Sequence, residues 1–239
     1  MLHLADRPVI CHLLDRIKRA RRVDKIIVCT STHPEDDALE KIAREEGVLC
    51  YRGSPNDVLT RLYRAAREHG VDAIANITAD CPLVDPLHID RVVEAYESTG
   101  ADFILSSYLP QGQGPYGIKV SALARVCALK AETETEVWAP YFTETGLFRI
   151  HEMEPDPAFE HSTLKTSLDY PEDYRFLKSI FEDLYRPGEV FSLADVLALI
   201  RRKPELLGIN RESRARGRVH VEQTATPARL KAKRVQGPC

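Results

Sequence analysis

The chain has 239 residues, of which 44% are hydrophobic and 29% charged, a balance that suits a globular core and excludes a fibrous or wholly disordered protein. No apolar run approaches bilayer-crossing length, and the first residues do not read as a secretory signal. The net charge of −3 hides an asymmetry, because residues 211–239 carry eight Lys or Arg against two Glu.

That last stretch is expected to be a solvated basic extension, partly disordered, on a domain spanning residues 1–210. Neither nucleic acid nor membrane is expected as a partner. The six cysteines are scattered and form no Cys-x-x-Cys pair. They read as reduced thiols of a cytoplasmic protein rather than a disulfide framework or a zinc site.

The first predicted element is a helix over 8–22, with Pro8 at its first position and Val9, Ile10, Leu13, Leu14 and Ile17 on one face. Residues 25–30 form an apolar run, as a strand covered on both faces does. Thr32 and Glu35 have capping-box spacing before a helix that stops at Gly47. A strand over 48–52, a loop over 52–55 and a helix over 56–69 follow. The next strand, 73–78, ends in a tight polar loop that holds Asp80, and a helix opens at Asp85-Pro86.

Beyond the strand at 103–107, residues 109–117 are too rich in Gly and Pro for a regular element and read as a mobile loop on the ligand side. Extended residues 118–120 and helices over 121–129 and 134–143 come next, with Trp138 and Tyr141 as packing or dimer contacts. A strand over 147–152 follows. Residues 164–168 lead into Asp169-Tyr170-Pro171, again an acid at a strand end before a proline-initiated helix. A final helix starts at Ser192 and ends before Pro204. Strands and helices alternate at short spacing through the first hundred residues, so the expected fold class is three-layer α/β with a mostly parallel sheet.

An acid just past the carboxyl end of a buried strand stands where open α/β sheets bind ligands. The residues alone leave Asp80 with two readings, a turn cap or a ligand. Four ordered motifs carry a resemblance that favours the second: Thr30-Ser31-Thr32-His33-Pro34-Glu35, Arg52-Gly53-Ser54 with Asp57 and Arg61, Thr78-Ala79-Asp80-Cys81-Pro82-Leu83-Val84-Asp85-Pro86, and Leu168-Asp169-Tyr170-Pro171-Glu172-Asp173. The chain resembles the cytidylyltransferases that activate acidic sugars, above all the branch named for spore coat polysaccharide biosynthesis protein F. Relatives in that family make CMP-linked sialic acids and CMP-linked 3-deoxy-octulosonate.

The resemblance implies a Rossmann-like nucleotidyltransferase fold and transfer of CMP from CTP to a sugar, with release of pyrophosphate, in surface glycan biosynthesis. It implies a cytoplasmic homodimer, and Mg²⁺ held by Asp80 and Asp169 as the catalytic, metal-binding acids. Thr30, Ser31, Ser54, Asp57, Arg61 and Thr78 are the implied nucleotide contacts. Lys119 stands where the family holds sugar-contacting residues, although that position is usually acidic there. Family members begin with a strand and a Gly-, Arg- and Lys-containing loop that wraps the triphosphate. Here Asp6-Arg7-Pro8 stands where relatives have Gly-Lys-Pro, and that segment has no counterpart. Unpaired strand edges are therefore expected. The alternatives left open are a non-catalytic homolog that serves as a binding or partner subunit, and a nucleotidyltransferase using another nucleotide.

Overall fold

The computed structural model describes residues 1–159, 163–216 and 228–231. A short hairpin, β1 (His3–Leu4) and β2 (Arg7–Pro8), leads into α1 (Val9–Ile17). α1 is shorter than its apolar spacing predicts. Past Lys18 the chain turns away, and the backbone N–H groups of Arg21 and Arg22 donate to Asp90 Oδ1 at 2.8 and 2.9 Å rather than extending the helix.

β3 (Ile27–Ser31) pairs in parallel with β4 (Leu49–Gly53), and α2 (Asp37–Glu45) connects them. α3 (Val58–Glu68) leads to β5 (Ala73–Asn76), and α4 (Pro86–Thr99) to β6 (Phe103–Leu105). β7 (Tyr116–Lys119) is followed directly by α5 (Val120–Leu129), then α6 (Pro140–Thr143) and β8 (Ile150–Glu152). α7 (Pro171–Leu184) and α8 (Leu193–Arg202) follow, then a 3-10 turn at Pro204–Gly208 and a helical turn over 211–216. The helix expected over 134–143 is reduced to α6, because Pro140 lacks the N–H that a preceding turn would use.

The second sheet has the order β5-β7-β6-β8. β5 and β6 both run antiparallel to β7, and β8 runs parallel to β6. So β5, β6 and β8 point one way and β7 alone runs against them. Tyr116 and Gly117, expected in a loop, are therefore core strand residues. A Cβ on Gly117 would stand 2.9 Å from Ile104 and from Val92, so only glycine lets β7 lie between β6 and α4.

Successive residues of β3 and β5 enter the same two clusters. Val28, Ala75 and Ile77 pack with Ile10, Leu14 and Ile89 on the α1/α4 side, while Cys29 and Ile74 pack with Leu59, Leu62 and Leu123 on the α3/α5 side. The two sheets thus lie in one layer between helices, a three-layer α/β architecture. Yet among the described residues no strand pairs with β3 opposite β4, or with β5 opposite β7. A third cluster joins α7 and α8 through Phe176, Ile180, Val196 and Ile200. Trp138 and Tyr141 are buried beside Phe103, Tyr116 and Phe142. No helix among the described residues is long and apolar enough to cross a membrane. Five of the cysteines are unpaired thiols, and Cys239 lies outside the described residues.

The chain beyond position 210 makes bonds with the domain. Ser213 is fully buried and donates to Asp173. Residues 228–231 lie along the end of α5, where the Ala131 N–H donates to the Arg229 carbonyl at 2.9 Å and the Lys231 N–H to the Leu129 carbonyl at 2.8 Å. Residues 217–227 and 232–239 of the basic stretch lie outside the described residues.

Candidate active site

The carboxyl ends of β5, β6 and β8 share one edge of the sheet, and the Asp80 loop leaves that edge directly after β5. A turn closed by Cys81 N–H to the Thr78 carbonyl, at 3.1 Å, shapes the loop. Asp85 then caps α4 by accepting from the Leu87 N–H at 2.9 Å. Asp169 arrives from the opposite direction, just before α7. The two loops are tied at the backbone, where the Leu168 N–H donates to the Asp80 carbonyl at 2.7 Å.

The Asp80 and Asp169 carboxyls lie close enough for the charge of Asp169 to act on Asp80. Burial pushes the Asp80 carboxyl above the usual carboxylate range, and the Asp169 charge pushes it further, against the pull of the Thr78 hydroxyl bond. Two acids held this close repel unless a cation or a proton lies between them. Among the described residues no group of three or more His, Cys, Asp or Glu side chains is arranged to hold a metal. A pair of carboxylates fits an ion that keeps several waters and takes its remaining ligands from a substrate.

The second acid is built into a buried network that the sequence does not announce. Lys165 is wholly buried, and its Nζ pairs with Asp169 Oδ2 at 2.8 Å and with Asp173. Asp173 also accepts from Asn210 Nδ2 at 3.0 Å and from the Ser213 hydroxyl. Burial works against its charge, but Lys165, Ser213 and Asn210 together hold its carboxyl below the usual range. Spacing places Asp173 in the first turn of α7, which is where it lies. Nothing in an otherwise ordinary run from Leu164 to Leu168 marks Lys165 as the buried cation beneath it.

The Gly- and Pro-rich segment stands on the ligand edge, as expected, but it is pinned rather than loose. The Thr166 N–H donates to the Gln111 carbonyl at 2.8 Å, and the wholly buried Gln113 donates to the Thr166 hydroxyl at 2.9 Å. Gly112, at φ +88°, passes so close that a Cβ would lie 2.5 Å from the Ser167 nitrogen.

The remaining candidates fall into separate places. Thr78 belongs to the Asp80 loop. Thr30 and Ser31, at the end of β3, are buried and bonded to Asp36, whose Oδ2 accepts from both hydroxyls (2.8 and 2.5 Å) and from the Ser31 N–H at 2.9 Å. The capping box expected of Thr32 and Glu35 does not form, since no side chain caps the turn at Pro34–Asp36 or the start of α2. Ser54, Asp57 and Arg61 form a third group. Arg61 donates to the carbonyls of Ser54 at 2.6 Å and Pro55 at 3.2 Å, while Asp57 caps α3 and pairs with buried Lys130. Among the described residues no hydrogen bond or ion pair links either group to the Asp80–Asp169 pair. Lys119 stands opposite Ala73, at the end of the sheet away from the Asp80 loop, because β7 runs against β5.

The architecture matches a known family. The cytidylyltransferase family model matches residues 1–174. The chain belongs to the cytidylyltransferase family. It is 25% identical over 185 residues to spore coat polysaccharide biosynthesis protein SpsF of Bacillus subtilis, covering 76% of this chain and 77% of that protein. It is 29% identical over 147 residues to a 3-deoxy-manno-octulosonate cytidylyltransferase of Anaeromyxobacter dehalogenans, covering 60% of this chain and 55% of that one. A solved cytidylyltransferase from Leptospira borgpetersenii superposes with a TM-score of 0.78 at 26% identity, covering 86% of this chain and 88% of the other. The chain is a nucleotidyltransferase with a Rossmann-like α/β fold.

Proposed function

We propose that this cytidylyltransferase transfers CMP from CTP to a sugar, an acidic one, for surface glycan synthesis, with Mg²⁺ held by Asp80 and Asp169. The observation that carries the metal reading is the apposition of those two carboxylates at the ligand edge of the sheet. A sugar hydroxyl attacks the α-phosphorus, the bond to the bridging oxygen of the β-phosphate breaks, and pyrophosphate leaves. A bound divalent ion supplies charge neutralisation for the attacked and leaving oxygens in such a displacement.

The chain's own residues do the rest. Asp80 and Asp169 supply two anionic ligands, and the Thr78 hydroxyl orients Asp80. The 109–117 segment walls the site without depending on closure, being bonded to Thr166. Thr30 and Ser31, gathered by Asp36, and the Ser54–Arg61 loop are the surfaces offered to base and ribose. The acidic-sugar part of this reading draws on the name of the octulosonate relative, and the glycan part on that of SpsF. The family resemblance further implies a homodimer working in the cytoplasm.

Pyrophosphate release tests it. The full chain is incubated with Mg²⁺ and each of the four ribonucleoside triphosphates, against a panel containing 3-deoxy-octulosonate, N-acetylneuraminate and neutral hexoses. Release with CTP and an acidic sugar is expected. A preference for another triphosphate, or for a neutral sugar, overturns the corresponding half of the proposal.

A further inference from the structure

We propose that Lys165 is a positioning residue that leaves Asp169 a single free carboxylate oxygen, and that it thereby makes the Asp80–Asp169 pair select a small octahedral cation over Ca²⁺. The inference rests on the metal reading given above.

The Lys165 side chain has no exposed surface. Its Nζ meets three acceptors: Asp169 Oδ2 at 2.8 Å, the Ser167 carbonyl at 3.1 Å, and Asp173 Oδ2. An ammonium has three protons, so none is left for a substrate phosphate. Lys165 acts on its neighbours and not on the nucleotide. The Ser167 hydroxyl donates to the same Asp169 Oδ2 at 2.9 Å. That oxygen is held twice, and no described cation or hydroxyl holds Oδ1.

The clamp is rigid because its far side is fixed. Asp173 Oδ2 also accepts from the backbone N–H groups of Asp169 at 3.2 Å and Tyr170 at 3.0 Å. Asn210 Nδ2 bridges Asp173 Oδ1 at 3.0 Å and the Lys165 carbonyl at 3.1 Å. An ion that demands both oxygens of Asp169 must displace an ammonium that has no water to move into, which is costly for a buried charge. Ca²⁺ commonly takes about seven oxygens, carboxylates in bidentate fashion among them, whereas Mg²⁺ takes about six at shorter range and keeps several waters. An acid restricted to one oxygen suits the second ion.

The test is calorimetric titration of the full chain with Mg²⁺, Mn²⁺ and Ca²⁺ in the presence of CTP, with the Mn²⁺ electron paramagnetic resonance line shape as a second readout. Two variants accompany the native chain. Lys165→Met combined with Asp173→Asn removes the wholly buried charge pair together and leaves only the partly exposed Asp169 without its cation. Ser167→Ala removes the other donor to Oδ2 and buries no charge, so it decides the question if the double variant does not fold. The native chain is expected to bind Mg²⁺ roughly tenfold more tightly than Ca²⁺, and the double variant to lose about that factor through a gain in Ca²⁺ affinity. Ser167→Ala is expected to move the same way by less. An unchanged ratio in folded variants overturns the role of Lys165 and leaves the metal reading standing. Absence of divalent-ion binding by the native chain removes the metal reading and this inference with it.

Discussion

Asp80 is held in a position that disfavours its own charge. Burial and the neighbouring Asp169 push its carboxyl up, against the pull of the Thr78 hydroxyl and a backbone hydrogen bond. Asp80→Asn keeps the shape and removes the charge. It is expected to lower CTP-dependent pyrophosphate release by roughly 100-fold or more while leaving the melting temperature unchanged or slightly higher, both read on one purified sample. A large fall in melting temperature would recast Asp80 as structural. His88 makes a second test at this scale. It is buried in the first turn of α4, with neither ring nitrogen partnered among the described residues, edge-on to Phe159 at 4.8 Å and near Tyr108, Asp85, Arg91 and Asp156. Burial pulls its pKa down to about 4, against an ordinary 6.5. The fold therefore favours the neutral ring. His88 contributes no penalty above pH 6.5, and stability falls as pH drops from 6.5 through 4, by about 3 kcal/mol in full. His88→Leu is expected to flatten that part of the urea-denaturation pH profile. An identical slope in the variant would assign the loss to other groups.

Between elements, single residues join distant segments. Asp85 caps α4 through the Leu87 N–H, and its other oxygen accepts from the buried Leu193 N–H at 2.6 Å, the first residue of α8. Asp85→Ala removes a cap and orphans a buried donor, so a loss of roughly 2–4 kcal/mol in denaturant stability is expected, beyond an ordinary cap deletion. A loss under about 1 kcal/mol would mean that water replaces both bonds. Gly112→Ala adds a Cβ against the Thr166–Ser167 backbone at a positive φ. It is expected to destabilise the chain by about 1–3 kcal/mol and to lower activity by displacing the segment that leads to Asp169. Unchanged activity would mean that the 109–117 segment does not position that acid. The sequence made the cap legible, because Asp85 precedes Pro86 and an apolar-periodic run. It did not show the second bond of Asp85, which depends on a helix 108 residues away. Nor did it show β7: a four-residue strand that opens with Tyr116-Gly117, after two other glycines and two prolines, carries no alternation to read.

At the scale of the whole molecule the layered α/β plan was legible, since apolar runs at 25–30 and 73–78 alternate with helices of clear apolar spacing. The reversal of β7 was not, and it moves Lys119 to the far end of the sheet from Asp80. The two acids of the site were legible because each precedes a proline-initiated helix, although the strand expected over 164–168 is reduced to one isolated bridge between Lys165 and Gln111. Lys165, Asn210 and Ser213, which hold the second acid in place, were not, because burial of polar residues is decided by tertiary packing. Among the described residues no strand joins β3 to β5, so each keeps one unpaired edge. Both edges stay inside one helical sandwich, so the ligand edge keeps its order on the β5-β7-β6-β8 side.

The central claim is that Asp80 and Asp169 form a cation-dependent nucleotide site. Titration of the full chain with CTP, with Mg²⁺ and then with EDTA, tests it most directly. Micromolar binding that requires Mg²⁺ and is lost in Asp80→Asn is the expected result. Binding of equal strength with EDTA, or undiminished in Asp80→Asn, would contradict it and move the nucleotide site to the Thr30 and Ser54 loops.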